Sequence, residues 1–324
     1  MTLIPLWRNK PPEPKLLGGL EKNEDSSLSN KITISKIFPS GRQAISKCLM
    51  DRGISRSDLV ALPEWSGYCL ISSVARVATP IPLKEVIKNE IDCAAIIIYE
   101  QWGWEFSSSA LQSFINHFKG KILILDRVDS VKLYDINKNK FTFQIWSLSK
   151  TLGFNGGGIA LNCSKEFLSF LNTKPEETIM IDKILKVSTI DSNIKNYLNK
   201  AYGSHREEDL INFINSQLID NCFLLESEER KKRSKILLEN FPDDALESNI
   251  KNGSAPGIFP LALNKSKSFR ENVLHNCLSL NIEAKPYHFN YSMNPIKPEY
   301  IPCVAVPVHS GVPINLLKKL LVAL

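Results

Sequence analysis

The sequence predicts an α/β fold, a large domain followed by a smaller C-terminal α+β domain. Three observations predict it. Short apolar runs of strand length alternate with segments whose apolar residues recur at helical spacing. A long helical pattern then runs from about Arg206 to Asn240 and is closed by Pro242. The 324 residues are enough for one large and one small domain.

Taken in order, residues 1–30 read as an extended N-terminal arm. From Arg8 on, this stretch is rich in Pro, Asn, Ser and charge, and it contains Pro11-Pro12-Glu13-Pro14. The large domain is placed at 31–220. Its candidate strands are Leu59–Leu62, Ala94–Ile98, Lys121–Leu125, Phe143–Trp146 and Gly158–Leu161. Ala44, Ile45, Cys48 and Leu49 mark a helix between strands, as do Leu111, Phe114, Ile115 and Phe118. In the long pattern Leu210, Phe213, Ile214, Leu218, Cys222 and Leu225 share one face, and the domain change is placed along it. The small domain, 221–324, holds an apolar run at Ile258–Leu263, a helix through Val273 to Leu280, a strand at Val304–Val306 and a last helix.

Composition narrows the function classes. Hydrophobic residues at 43% and charged residues at 23% are those of an ordinary folded protein, not a disordered one. The net charge of +6 suits anionic small ligands. The densest basic run, Arg230-Lys231-Lys232-Arg233, directly follows Glu226, Glu228 and Glu229, so it reads as a solvated helix face and not a nucleic-acid surface. Seven scattered cysteines without a CxxC pair suggest neither zinc nor a disulfide framework, and reduced thiols fit a cytoplasmic protein. No apolar stretch approaches the ~20 residues of a membrane span, and the N-terminus does not read as an export signal.

The most informative stretch is Trp146-Ser147-Leu148-Ser149-Lys150-Thr151-Leu152-Gly153, which leads on to Gly156-Gly157-Gly158. A strand ends in a Ser/Lys cluster and passes into glycines, which permit sharp turns or close approach of another body. A P-loop would need Gly where Ser149 stands. Ser147-Leu-Ser-Lys150 satisfies the SxxK pattern of serine β-lactamases, but the companion Ser-Asp-Asn and Lys-Thr-Gly motifs are missing. The bland reading is a surface lysine after a strand.

Asp126, 24 positions earlier, raises the chemical reading, because it too leaves a strand end. Ligands of α/β sheets bind outside the carboxyl ends of the strands, so Asp126 and Lys150 can meet one cofactor from neighbouring strands. Pyridoxal phosphate (PLP) needs that pair: its aldehyde condenses with a lysine amine, and a carboxylate keeps its ring nitrogen protonated. Alone, Asp126 would read as a helix N-cap. Pro39-Ser40-Gly41-Arg42-Gln43 opens a helix whose amides suit a phosphate, with Gly41, Arg42 and Gln43 as candidates and Ser147 adding a hydroxyl. The alternative is an ordinary capped helix. Trp65, or second Tyr68, supplies a ring to stack on a planar cofactor, with core packing as the alternative. His288 and His309 read equally as substrate-facing or as packing residues.

From about Ile37 onward these pieces resemble the DegT/DnrJ/EryC1/StrS family of PLP-dependent sugar aminotransferases, within the aspartate-aminotransferase-like fold. Ser40-Gly-Arg-Gln-Ala-Ile45 is similar to the family's phosphate turn, and Leu62-Pro-Glu-Trp-Ser-Gly67 to its following strand and aromatic loop. Asp126-Arg-Val-Asp129 looks like its Asp-Ala-Ala-Gln/His segment, and Val306-Pro-Val-His-Ser-Gly311 like its C-terminal Leu-Pro-Leu/Ile-His-x-Gly element. The resemblance implies a mostly parallel central sheet, Lys150 as the cofactor lysine, Asp126 on the pyridine nitrogen and Asp129 in place of the Gln or His near the ring. Ser-x-Ser-Lys150 is closer to the wider superfamily, and Ala201-Tyr-Gly-Ser-His-Arg206 stands where the family carries a Gly-Tyr-Asn-Tyr-Arg-like segment. Lys150 argues against the family's dehydratases, in which His replaces the lysine.

The function implied is a cytoplasmic PLP-dependent aminotransferase of sugar biosynthesis, acting on a keto-sugar nucleotide with an amino donor such as glutamate. Its implied assembly is a homodimer, with no nucleic-acid or membrane partner and no metal. Two rival readings stay open: a catalytically idle PLP-fold protein serving as a binding or assembly partner, and another PLP reaction such as elimination.

Overall fold

The computed structural model of the chain describes residues 3–8, 36–38, 40–132, 141–153, 157–162 and 217–324. Ala201–Arg206 lies outside them. Seven strands form one sheet: β1 (Lys36–Phe38), β2 (Leu59–Leu62), β3 (Thr79–Pro82), β4 (Ala95–Tyr99), β5 (Ile122–Asp126), β6 (Phe143–Ser147) and β7 (Gly158–Asn162), in the order β1-β7-β6-β5-β4-β2-β3. The β3, β2, β4, β5 and β6 neighbours pair parallel, while β7 runs antiparallel to both β6 and β1. The sheet is thus mostly parallel, as expected.

The central strands are apolar on both faces because both are covered. Ile96, Ile98, Leu123 and Leu125 enter one buried cluster, and Ala95, Ile97 and Ile124 enter the other. Helices α1 (Gly41–Asp51), α2 (Tyr68–Ala75), α3 (Leu83–Asn89) and α4 (Ser108–His117) connect the strands, and a single turn, α5 (Leu148–Thr151), follows β6. The strands β1 and β3 escape the sequence reading. Each is an edge: β1 is three residues long, and β3 is Thr-Pro-Ile-Pro, whose prolines are tolerated only where no ladder donor is required.

The C-terminal part begins along α6 (Gln217–Asn240), which Phe241-Pro242 ends, and continues through α7 (Asp244–Lys251), β8 (Ile258–Leu261), α8 (Lys267–Ser279), β9 (Lys285–Asn290), β10 (Tyr300–Pro307) and α9 (Ile314–Val322). Its antiparallel sheet has the order β8-β10-β9. The first apolar cluster runs from the large sheet into this part, taking in Leu237, Phe259, Val304 and Leu317.

Two features depart from simple sequence reading. The basic run of α6 is not a solvated face: Arg230 and Arg233 are 1% and 5% exposed, and Lys232 points outward. Helical spacing puts both arginines on the inner side, where Arg230 Nε meets Glu226 at 2.9 Å and Arg233 Nε donates to the Val312 carbonyl at 2.7 Å. Within the expected arm, Leu3–Arg8 lies along the C-terminal part. Ile4 bridges Ile282, Leu6 is fully buried, and Arg8 pairs with Glu226 and bonds Ser310. Among the described residues no helix is long and apolar enough to cross a membrane, and no cluster has the make-up of a metal site.

Candidate active site

Strand β2 leads to β3 on one side, and β4 to β6 then run the other way, so the connections reverse between β2 and β4. Crevices at such a reversal, beyond the strand carboxyl ends, are where open α/β sheets bind ligands. Here Tyr99, Asp126 and Ser147 end β4, β5 and β6. Above them lies a cavity of about 530 Å³, lined by Gly41, Arg42, Trp65, Asp126, Ser147 and Lys150 among others.

The turn into α1 closes one end. Ser40 caps the helix, its Oγ accepting from the Gln43 amide at 3.3 Å, which leaves the first amides of the helix at the cavity wall. Glycines let backbone approach backbone here. A Cβ on Gly158 of β7 would lie 2.4 Å from the Ser40 carbonyl, and one on Gly41 would lie 3.0 Å from Val128 Cγ1. Gln43 is not among the residues that line the cavity, and its Oε1 is buried without a hydrogen-bond partner. Ser147 Oγ lies 2.9 Å from Ser149 Oγ, and Ser149 also lines the cavity.

The titratable groups meet behind this turn. Asp126 is 4% exposed and its Oδ1 accepts from the Val128 amide at 3.1 Å. Burial pushes its carboxyl up to about 7, with Lys150 pulling the other way. Lys150 Nζ lies 3.4 Å from Asp129 Oδ1 and 5.2 Å from the centre of the Trp7 ring. Burial draws the amine down, but Asp129 and Asp126 together hold it above the ordinary lysine value. Asp129 also accepts from Trp7 Nε1 at 3.2 Å and from the Tyr99 hydroxyl, and its carbonyl accepts from Arg230 at 2.8 Å. Burial, then Asp129, raises Tyr99 well above its usual value, so it stays a phenol and donates.

Trp65, on the loop after β2, stacks on His288 of β9 with ring centres 4.1 Å apart and 16° between planes. Tyr68 is 85% exposed and lies outside the cavity lining. Of the two histidines, His288 lines the cavity and His309 does not. His309 Nδ1 accepts from the Gly311 amide at 3.2 Å, so Nε2 carries the proton to the Pro5 carbonyl, 3.0 Å away. Burial lowers its pKa to about 4.

Sequence reasoning missed Trp7, Tyr99, Gln101, Trp102 and Tyr287, which also line the cavity. Tyr99 had a signal, since it ends β4 as Asp126 ends β5. Trp7 had none, because its place depends on contacts far away in the chain. Gln101 ties the two parts together: its Nε2 donates to the His288 carbonyl and its Oε1 accepts from the Asn290 amide, both at 2.9 Å.

The donor set fits a phosphorylated pyridine aldehyde: helix amides and Ser147 for the phosphate, Asp126 for the ring nitrogen and Lys150 for the aldehyde. The volume lies within the roughly 300–1,000 Å³ of small-molecule pockets. Residues 27–323 match the model of a family described as "Putative PLP-dependent aminotransferase". No curated protein is similar in sequence to the chain. Among solved structures, NtdA from Bacillus subtilis with bound cofactor PMP matches with a TM-score of 0.57 and 13% identity, over 96% of this chain and 78% of that one. A DegT DnrJ EryC1 StrS aminotransferase from Brucella abortus matches with a TM-score of 0.52 and 14% identity, over 89% and 84%. A mutant of the dehydratase ColD with bound GDP-perosamine matches with a TM-score of 0.53 and 14% identity, over 88% and 87%.

Proposed function

The chain belongs to the family of PLP-dependent aminotransferases, and from that premise we propose that it moves an amino group from an amino-acid donor to the keto group of a nucleotide-linked sugar. The observation that carries the residue assignment is the convergence of Asp126 and Lys150, from the ends of adjacent strands, on one cavity.

When bound, the cofactor supplies an electron sink for the carbanion left when a donor loses its α-proton. Lys150 Nζ would hold the cofactor and, when free and neutral, would take the donor's α-proton as general base. The same amine would return a proton to the acceptor carbon that gains the amino group. Asp126 would be the carboxylate that accepts a hydrogen bond from a protonated ring nitrogen. Gly41 and Arg42 at the start of α1, with Ser147, hold the phosphate. Gln43 supports that turn from behind through its amide bond to Ser40. Trp65 would offer its ring to the cofactor's, and Asp129 would act through Lys150, which it pairs with outside the cavity lining.

Room for a large acceptor supports the sugar-nucleotide reading. A second cleft of about 340 Å³ shares Glu64, Trp65, Tyr99 and Gln101 with the cofactor cavity, and Lys84 and Lys88 border it. ColD, of the same fold, holds GDP-perosamine. A homodimer is proposed from the exposed Met50, Trp65, Tyr68 and Ile71 on the α1–α2 side of the site. A cytoplasmic setting is consistent with cysteines that, among the described residues, form no disulfide.

The visible spectrum of the protein supplied with PLP tests the assignment. Wild type is expected to gain a band that borohydride removes, and Lys150→Ala to lack both the band and turnover. Full activity in Lys150→Ala would overturn the reading. With glutamate, conversion of cofactor to its amine form and then amination of a keto-sugar nucleotide are expected. Ammonia release without amine transfer would indicate elimination instead. A retained cofactor that no donor converts would indicate an idle protein.

A further inference from the structure

Three groups far apart in the sequence converge on one carboxylate. Trp7 Nε1, the Tyr99 hydroxyl and Lys150 Nζ all point at the side chain of Asp129, which is 3% exposed. Arg230, fully buried on α6, fixes the Asp129 main chain through its carbonyl and bonds the Thr151 carbonyl next to Lys150 at 3.2 Å. The delivery of Trp7 is equally well secured. Leu6 is buried and its amide donates to Glu283 at 2.9 Å, Pro5 accepts from His309, and Arg8 pairs with Glu226. A short N-terminal strap is therefore fastened on both sides of the one residue that reaches the catalytic lysine.

A cofactor lysine that is displaced in each cycle needs a place to go. We propose that Asp129, enclosed by Trp7 and Tyr99, is the seat of the Lys150 ammonium, as it stands before the cofactor is held and again once Nζ has taken up the donor's proton, and that the N-terminal strap is a positioning part of the catalytic centre. The seat rests on the reading of Lys150 as the cofactor lysine for its use, but not for its existence. Asp129 provides the anion, and the indole face of Trp7 provides a second, weaker attraction for a cation.

The seat holds a proton on Nζ. Only a neutral amine can condense with an aldehyde, so Nζ would give up that proton before holding the cofactor. Other titratable groups near Nζ are Asp126 on β5 and Cys69 on α2, while Arg8, Arg230 and His309 border the small crevice that Lys150 shares with Trp7 and Asp129. Tyr99 on β4 reaches Nζ only through Asp129. Removing the Asp129 charge leaves burial and Asp126 to set the amine, and burial acts downward.

The test is competitive acetylation of the cofactor-free full-length protein across pH, read by mass spectrometry at the Lys150 peptide. The reactivity profile of Asp129→Asn is expected to move to lower pH, and near neutral pH Lys150 then acetylates about tenfold faster for every pH unit the profile moves. Trp7→Ala, which removes the ring face over Nζ, is expected to move the profile the same way by less, and Trp7→Phe to restore most of it. An Asp129→Asn profile superimposed on wild type would overturn the seat. A Trp7→Ala profile superimposed on wild type would overturn the role of the strap. Should Asp129→Asn fail to fold, as judged by circular dichroism, Asp129→Ser takes its place with the same expected and overturning outcomes. Absorption with added PLP is measured separately, so a missing Lys150-dependent band would count against the cofactor reading without touching the acetylation result.

Discussion

Asp126 and His309 illustrate how surroundings decide what a titratable residue does. Both are buried, and burial disfavours the charged form of each, raising Asp126 to about 7 and lowering His309 to about 4. Under the proposed assignment Asp126 would face a protonated ring nitrogen, which would return it to its ionised form. His309 has no such partner and holds Pro5 as a neutral ring. Its folded pKa lies below the unfolded 6.5, so the unfolded chain binds the proton more readily. The stability it contributes is full above about 6.5 and is lost as pH falls toward about 4. Between pH 7 and pH 5 this group is expected to cost about 2 kcal/mol, and His309→Gln to abolish that part of the loss. Urea unfolding of both proteins at the two pH values checks it, and equal losses would refute it. The identity of Lys150 and Asp126 as candidates was legible because each follows an apolar run of strand length. The burial of Arg230 was not, since a run of four basic residues shows only that some must share a helix side.

At the level of elements, β7 is the strand that fits the turn into α1 to the sheet. It runs antiparallel beside β6 and passes so close to Ser40 and Gly41 that only hydrogen fits on Gly158. Gly158→Ala is expected to push the α1 turn outward, destabilising the protein by about 1–3 kcal/mol and weakening PLP binding. Calorimetric melting with and without PLP measures both effects, and an unchanged melting point would contradict the account. The strands read from sequence are the apolar ones, β2 and β4 to β8 with β10, because two-sided burial demands continuous apolar residues. Those missed, β1, β3 and β9, are all edges. An edge strand needs a partner on one side only, so it accepts prolines and charge: β9 is Lys-Pro-Tyr-His-Phe-Asn, with its first three residues exposed.

Across the whole molecule, the two parts share one apolar cluster and meet at the cavity, with Gln101 and the N-terminal strap spanning the junction. On the outer side, Trp65 and Tyr68 remain 55% and 85% exposed beside the same cavity. If a second copy covers them, sedimentation of wild type at micromolar concentration is expected to show a dimer, and Tyr68→Glu a monomer with weakened PLP binding. A monomeric wild type would remove the dimer from the proposal. The alternation of strands and helices, and the residues that leave the strand ends, including Lys150 and Asp126, were dictated locally, because they depend on periodicity and position within one element. It took the tertiary fold to bring Trp7 and Tyr99 to Asp129, to place Arg230 inside, and to set Trp65 against His288. Those contacts join segments distant along the chain, and no local pattern records which distant surfaces will be buried together.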